Sequence, residues 1–166
     1  MRQTTRFVTY VAAFAVAAPL AAAIGNSAGT AGAANNTVLP FAQMLRRCDF
    51  SETDFNGPTG MGRVFGVMTS TGSTVKADVQ TALAIPGTHY DVRLIQVPRP
   101  SSANCWGGDP GVAQGALNTD GAGAASVTLE DTIEPGATGA WVFVSRPHPF
   151  SQDPAEFYTT DLIVPI

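Results

Sequence analysis

From residue 35 onward, apolar side chains recur at every second position, with no sustained recurrence at every third or fourth. A period of two places alternate residues on opposite faces of a strand, so it restricts this chain to sheet structure. The clearest segment is Val75-Lys76-Ala77-Asp78-Val79-Gln80. Val75, Ala77 and Val79 form a dry face, and Lys76, Asp78 and Gln80 form a wet one. In the run 89–97, Tyr90, Val92 and Leu94 are expected inside, with His89, Asp91 and Arg93 on a solvated, charged outer face. Val127 and Leu129 alternate with Ser126, Thr128 and Glu130. Four further runs, 63–69, 115–119, 140–145 and 157–164, are rich in β-branched and aromatic strand formers, and an earlier strand is expected within 38–50.

Turn residues separate these runs. Asp120-Gly121 reads as a hairpin turn, Pro86-Gly87 and Pro135-Gly136 as turns, and Pro98 with Pro100 closes the central strand. No stretch past residue 35 reads as a helix. The expected fold is all-β: an antiparallel immunoglobulin-like β-sandwich of about seven or eight strands, with a small barrel as the alternative.

The first 33 residues have a different pattern. Arg2 and Arg6 precede an apolar run from Phe7 to Ile24, and small residues follow as far as Ala33-Ala34. A basic start, an apolar middle and a small-residue end make a Sec-type signal peptide. Ala21-Ala22-Ala23 and Ala31-Gly32-Ala33 both fit the cleavage pattern, and the second is preferred. The organisation is then a signal peptide over 1–33 and one sandwich domain over 34–166, secreted or held in the cell envelope. The alternative is an uncleaved anchor, since 18 residues is the lower edge of a bilayer span. Contact with a membrane is expected only in that case.

Export changes how charge and cysteine are read. Without Arg2 and Arg6, seven basic side chains face thirteen acidic ones, a balance of −6. A domain of that sign has no electrostatic reason to bind nucleic acid. Cys48 and Cys105 are the only cysteines, and outside the cytosol a lone pair is most simply a disulfide. Cys105 lies in the Pro-, Ser- and Gly-rich loop 98–111, so the bridge is expected to pin that loop to the N-terminal strand and not to cross the core.

Catalytic patterns are missing. The two histidines, His89 and His148, are not set in any recognisable triad, and no G-x-S-x-G elbow occurs past residue 33. There is no H-x-H, H-E-x-x-H or Cys/His cluster for a metal, and no cofactor motif. Asp49, Glu52 and Asp54 read as a solvated acidic edge, and 118–123 lacks the carboxylates of a calcium loop. Trp141 is expected in the core. Trp106, next to Cys105 and flanked by glycines, is either a rigid anchor for a partner or a cap over the disulfide. The candidate binding residues are therefore Trp106 and Asp109 in loop 98–111, and Arg146 and His148 in the segment 146–154.

The layout resembles small exported β-sandwich proteins of actinobacteria. The residues that carry the likeness are Ala33-Ala34, Tyr90-Asp91-Val92-Arg93-Leu94, Cys105, Thr119-Asp120-Gly121-Ala122-Gly123 and Tyr158-Thr159-Thr160-Asp161-Leu162-Ile163-Val164. The resemblance implies a fold and an exported location, and brings no activity with it. The leading expectation is a secreted, non-enzymatic sandwich acting through surface or loop contacts with protein or carbohydrate at the cell surface. An extracellular hydrolase with an unrecognised site and a structural envelope protein are the alternatives.

Overall fold

A computed structural model describes residues 35–55 and 60–166; the signal peptide assigned to 1–33 lies outside them. Ten strands and no helix occur among the described residues: β1 (Asn35–Leu39), β2 (Phe41–Ala42), β3 (Arg63–Ser70), β4 (Thr74–Ala82), β5 (His89–Val97), β6 (Val112–Asn118), β7 (Ala125–Thr132), β8 (Gly139–Arg146), β9 (Glu156–Thr160) and β10 (Val164–Pro165). All pairings are antiparallel. One sheet runs β1-β3-β4-β7 and the other β2-β9-β8-β5-β6, with β10 beside β8. Within this, β3-β4-β7 facing β9-β8-β5-β6 is the immunoglobulin-like arrangement, and β1, β2 and β10 are additions to it.

The additions account for the count exceeding seven or eight. Pro40 separates β1 from β2, so one N-terminal segment contributes to both sheets. The run 157–164 divides because the chain bends after Thr160; Val164 then pairs with Ala140.

The alternation places the core as expected. Val75, Ala77 and Val79 from one sheet meet Tyr90, Val92, Leu94, Val142 and Val144 from the other, all buried. Gly87 and Gly136 take the left-handed conformation their turns require (φ 62° and 88°). The turn at Asp120-Gly121 differs from expectation. β6 and β7 belong to different sheets, so the segment joins sheets and is not a hairpin. The left-handed glycine there is Gly123 (φ 74°), and a Cβ on it would collide with the Ala84 carbonyl. Asp120 shapes the turn by accepting hydrogen bonds from the Ala122 and Ala124 amides (2.8 and 2.9 Å), which hold its carboxyl below the usual range.

A second apolar cluster lies on the other face of the β9-β8-β5-β6 sheet. Ile95, Val97, Trp141, Phe143 and Phe157 are buried there under Leu45, Cys48, Phe50 and Phe55. The reason is visible in β8, where residues 139–145 are buried on both faces. Trp141 is core, as expected, but in this outer cluster and not between the sheets. Its ring meets Phe50 edge-on (5.4 Å) and stacks near Phe143 (6.2 Å). Arg93 departs from its expected place on a solvated face: the covering loops bury it to 9% exposure.

The Cys48–Cys105 disulfide forms, with Cα atoms 5.6 Å apart. It ties two loops together, because Cys48 lies beyond β2 and not in the N-terminal strand. Its place is above the outer cluster, so it fastens the covering layer to itself.

At one end of the inner core a carboxylate is buried. Glu156 Oε2 accepts from the Tyr90 hydroxyl (2.9 Å) and from Arg146 Nε (3.2 Å), while Oε1 accepts from the Tyr158 hydroxyl (2.5 Å). Burial, then the contact with Glu156, pushes the Tyr90 phenol up to about 12 and the Tyr158 phenol above its normal value of 10.0. The folded state therefore holds these protons at a pH where the unfolded chain releases them. Their stabilisation is complete below pH 10 and is lost as the pH rises through the folded-state values. Past residue 33 these are the only two tyrosines, and Lys76 is the only lysine. Phenolate absorbance in a pH titration is expected to stay flat through pH 10 and to rise together with loss of tertiary structure. Independent ionisation near pH 10 with the fold intact would refute this.

Candidate functional site

The outer face of the β5–β8 pair carries a cleft with a volume of about 390 Å³. Pleating sets its floor. Asp91 and Arg93 project from β5, and their register partners Ser145 and Phe143 project from β8 on the same face. Three loops complete the lining. Arg46, Arg47 and Thr53 come from the segment after β2, Cys105 and Trp106 from loop 98–111, and His148 and Asp153 from the β8–β9 connection.

Each loop is braced by its own hydrogen bonds. In loop 98–111 the Trp106 amide donates to Asp109 Oδ2 (2.8 Å), the Asp109 amide donates to the Trp106 carbonyl (3.1 Å), and Arg99 Nη2 donates to the Pro110 carbonyl (2.7 Å). In the segment after β2, Arg46 pairs with Glu52 (3.3 Å) and lies 4.1 Å over the Phe50 ring. Phe50 takes a left-handed φ of 72°, and its amide is held by the Arg47 carbonyl (2.9 Å). The β8–β9 connection is closed by the Ala155 amide on the Arg146 carbonyl (2.9 Å).

Arg93 dominates the floor. Its Nη1 donates to the Cys105 carbonyl (2.9 Å), and its guanidinium carbon lies 4.5 Å from the Phe143 ring centroid and 5.2 Å from that of Trp106. Burial lowers its pKa, an effect that neighbouring Asp91 partly opposes. Beside it Trp106 is 64% exposed.

The four candidate binding residues have different positions. Trp106 and His148 line the cleft together, although 42 positions separate them in sequence. Asp109 is occupied in fixing the Trp106 turn, and Arg146 in the ion pair with Glu156. His148 Nδ1 accepts from the Phe150 amide (3.0 Å), which leaves Nε2 as its outward nitrogen. Arg93 was missed because its alternation and its charged neighbours read as a wet face. The available signal was the Cys105-Trp106 loop, which needs something to lie on.

His89 does not line the cleft, although it touches Asp91 of the floor. Its ring nitrogens contact Asn118 Oδ1 (2.9 Å) and Asp91 Oδ1 (3.1 Å), and these contacts raise its pKa, Asn118 first. Neither histidine hydrogen-bonds a serine hydroxyl among the described residues. The acidic edge near Cys48 is spent locally: Glu52 on Arg46, and Asp49 on the Ser51 amide and hydroxyl (3.0 and 2.6 Å). No group of three or more His, Cys, Asp or Glu side chains is placed to hold a metal among the described residues.

Fold and cleft together define an all-β sandwich with a disulfide-fastened outer layer and a loop-walled cleft upon it. Compared with known proteins, the chain matches no protein family, no curated protein and no solved structure. The disulfide is compatible with an extracellular protein, and no helix among the described residues is long and apolar enough to cross a membrane.

Proposed function

We propose that the protein is a secreted, non-enzymatic binding domain that contacts protein or carbohydrate at the cell surface through the cleft on its outer layer. The observation that carries this reading is the meeting of Trp106 and His148, from loops far apart in sequence, on one cleft. An exposed tryptophan on a braced loop loses little conformational freedom when it binds. Loops held by a rigid sandwich are common sites of recognition. Secretion is supported by the signal-like pattern of 1–33 and by the disulfide.

Cosedimentation of the exported protein with isolated cell-envelope material tests this. Trp106→Ala and His148→Ala are each expected to cut the bound fraction several-fold while the melting temperature stays within about 2 °C, since both side chains are exposed. Equal binding by the wild type and the double variant would remove the cleft from the function.

A further inference from the structure

We infer that the cleft takes an acidic saccharide, with the sugar carboxylate on Arg93 and the ring against Trp106. This rests on the binding-cleft reading and adds the chemistry of the ligand. Three observations on Arg93 lead to it.

The first is an unbalanced charge. Arg93 is 9% exposed, yet no carboxylate lies within 4.0 Å of its guanidinium among the described residues. Asp91 offsets the burial of Arg93 only in part and is itself engaged by His89 (3.1 Å). A cation withdrawn from water without a directly paired anion is unfavourable, and ring contacts and one carbonyl compensate only in part. The second is unused donors. Only Nη1 carries a hydrogen bond; Nε and Nη2 have none, and neither is among the fully buried unpaired nitrogens of the described residues, so both keep some exposure in a residue that lines the cleft. An Nε–Nη2 edge is the fork that receives a carboxylate through two parallel bonds. The third is charge distribution. The domain is acidic, yet three of its six arginines past residue 33, Arg46 (paired with Glu52), Arg47 and Arg93, line this one cleft against two carboxylates, Asp91 and Asp153.

A saccharide is favoured over an extended peptide by the topology of the floor. β5 is paired on both edges by β6 and β8, and β8 by β5 and β9, so neither offers free backbone groups for a peptide to join as a strand. Recognition must come from side chains. Beside the cation, the exposed indole of Trp106 offers an apolar plane that suits a pyranose face. The volume of about 390 Å³ is within the range of small-ligand clefts.

The test is calorimetric titration of the exported protein with oligosaccharides of galacturonic and glucuronic acid, their methyl esters, and neutral galacto-oligosaccharides, alongside a peptide with a free C-terminal carboxylate. The acids are expected to bind at least tenfold more tightly than the esters and the neutral sugars. Arg93→Lys, which keeps the charge and loses the fork, is expected to weaken the acids at least tenfold, and Trp106→Ala to weaken them similarly. The ester comparison uses the unaltered protein, so it holds even where an Arg93 variant fails to fold. Equal binding of acid and ester overturns the carboxylate assignment while leaving the cleft as a binding site. Binding of the peptide alone overturns the saccharide. Binding of nothing in the panel overturns the inference, and the binding-cleft reading falls with it only where envelope binding is also indifferent to Trp106→Ala and His148→Ala.

Discussion

Glu156→Ala is expected to lower the unfolding free energy by about 3–5 kcal/mol, the range for breaking a buried ion pair from one side. Glu156 is 1% exposed, and its two oxygens accept from Tyr90, Tyr158 and Arg146. Removing the carboxylate leaves two phenolic hydroxyls and part of a guanidinium without an acceptor, and it opens a void. Each unsatisfied buried donor costs about 1–3 kcal/mol. Tyr158→Phe removes one donor while Glu156 keeps the other two, so a loss of only about 1 kcal/mol is expected. Glu156→Gln should fall between them, because an amide oxygen can still accept from one tyrosine while its NH₂ opposes Arg146. Urea denaturation of the three variants measures the order. A loss below about 1 kcal/mol for Glu156→Ala would show that water or rearranged side chains satisfy the network instead.

Removing the disulfide is expected to act on a different part of the molecule. The bridge closes a loop of 57 residues, for which chain entropy gives about 4 kcal/mol, with a usual measured span of about 2–5 kcal/mol. The double variant Cys48→Ser/Cys105→Ser should therefore lose stability within that span. The structural reading adds where the loss appears. Cys48 and Cys105 belong to the outer cluster with Trp141, Phe143 and Phe157, while Val75, Val79, Val92, Leu94 and Val142 form the inner core. Hydrogen exchange should accelerate first in 43–55 and 98–111, and Trp141 fluorescence should shift toward that of a solvated indole. The amides of β4 and β5 should remain protected until global unfolding. Simultaneous loss of protection throughout would show that the outer layer and the sandwich are one cooperative unit. The same variant should lose affinity in the cleft, because Arg93 Nη1 is held by the Cys105 carbonyl and Trp106 follows directly in the chain.

The sheet itself was legible because one face of each strand is dry. Val75, Ala77 and Val79 alternate with Lys76, Asp78 and Gln80, and they face the core as that alternation requires. The same rule placed Tyr90, Val92 and Leu94 correctly, and β5 spans 89–97 as read. Asp120-Gly121 was misread for a local reason. Turn residues report that the chain reverses, but not whether the strands on either side belong to one sheet or two. Here they belong to two.

The binding loops were legible in part. The composition of 98–111 marked it as a loop, and the cysteine made it a tethered one. Of the four residues singled out, Trp106 and His148 line the cleft, while Asp109 and Arg146 serve the structure around it. Both kinds of role require an exposed-looking polar residue next to proline or glycine, so local sequence does not separate them.

By itself the sequence determined the period of two, the paired cysteines, the acidic balance and the absence of a known catalytic pattern, all properties of neighbouring residues or of composition. Tertiary structure alone decided that the outward face of β5 and β8 is not a wet face. Residues 43–55 and 98–111 fold over it, exclude water from Trp141 and Phe157, and leave Arg93 buried in an aromatic surround. That outcome depends on a contact between segments 57 residues apart, and alternation along a single strand carries no record of what will later cover it.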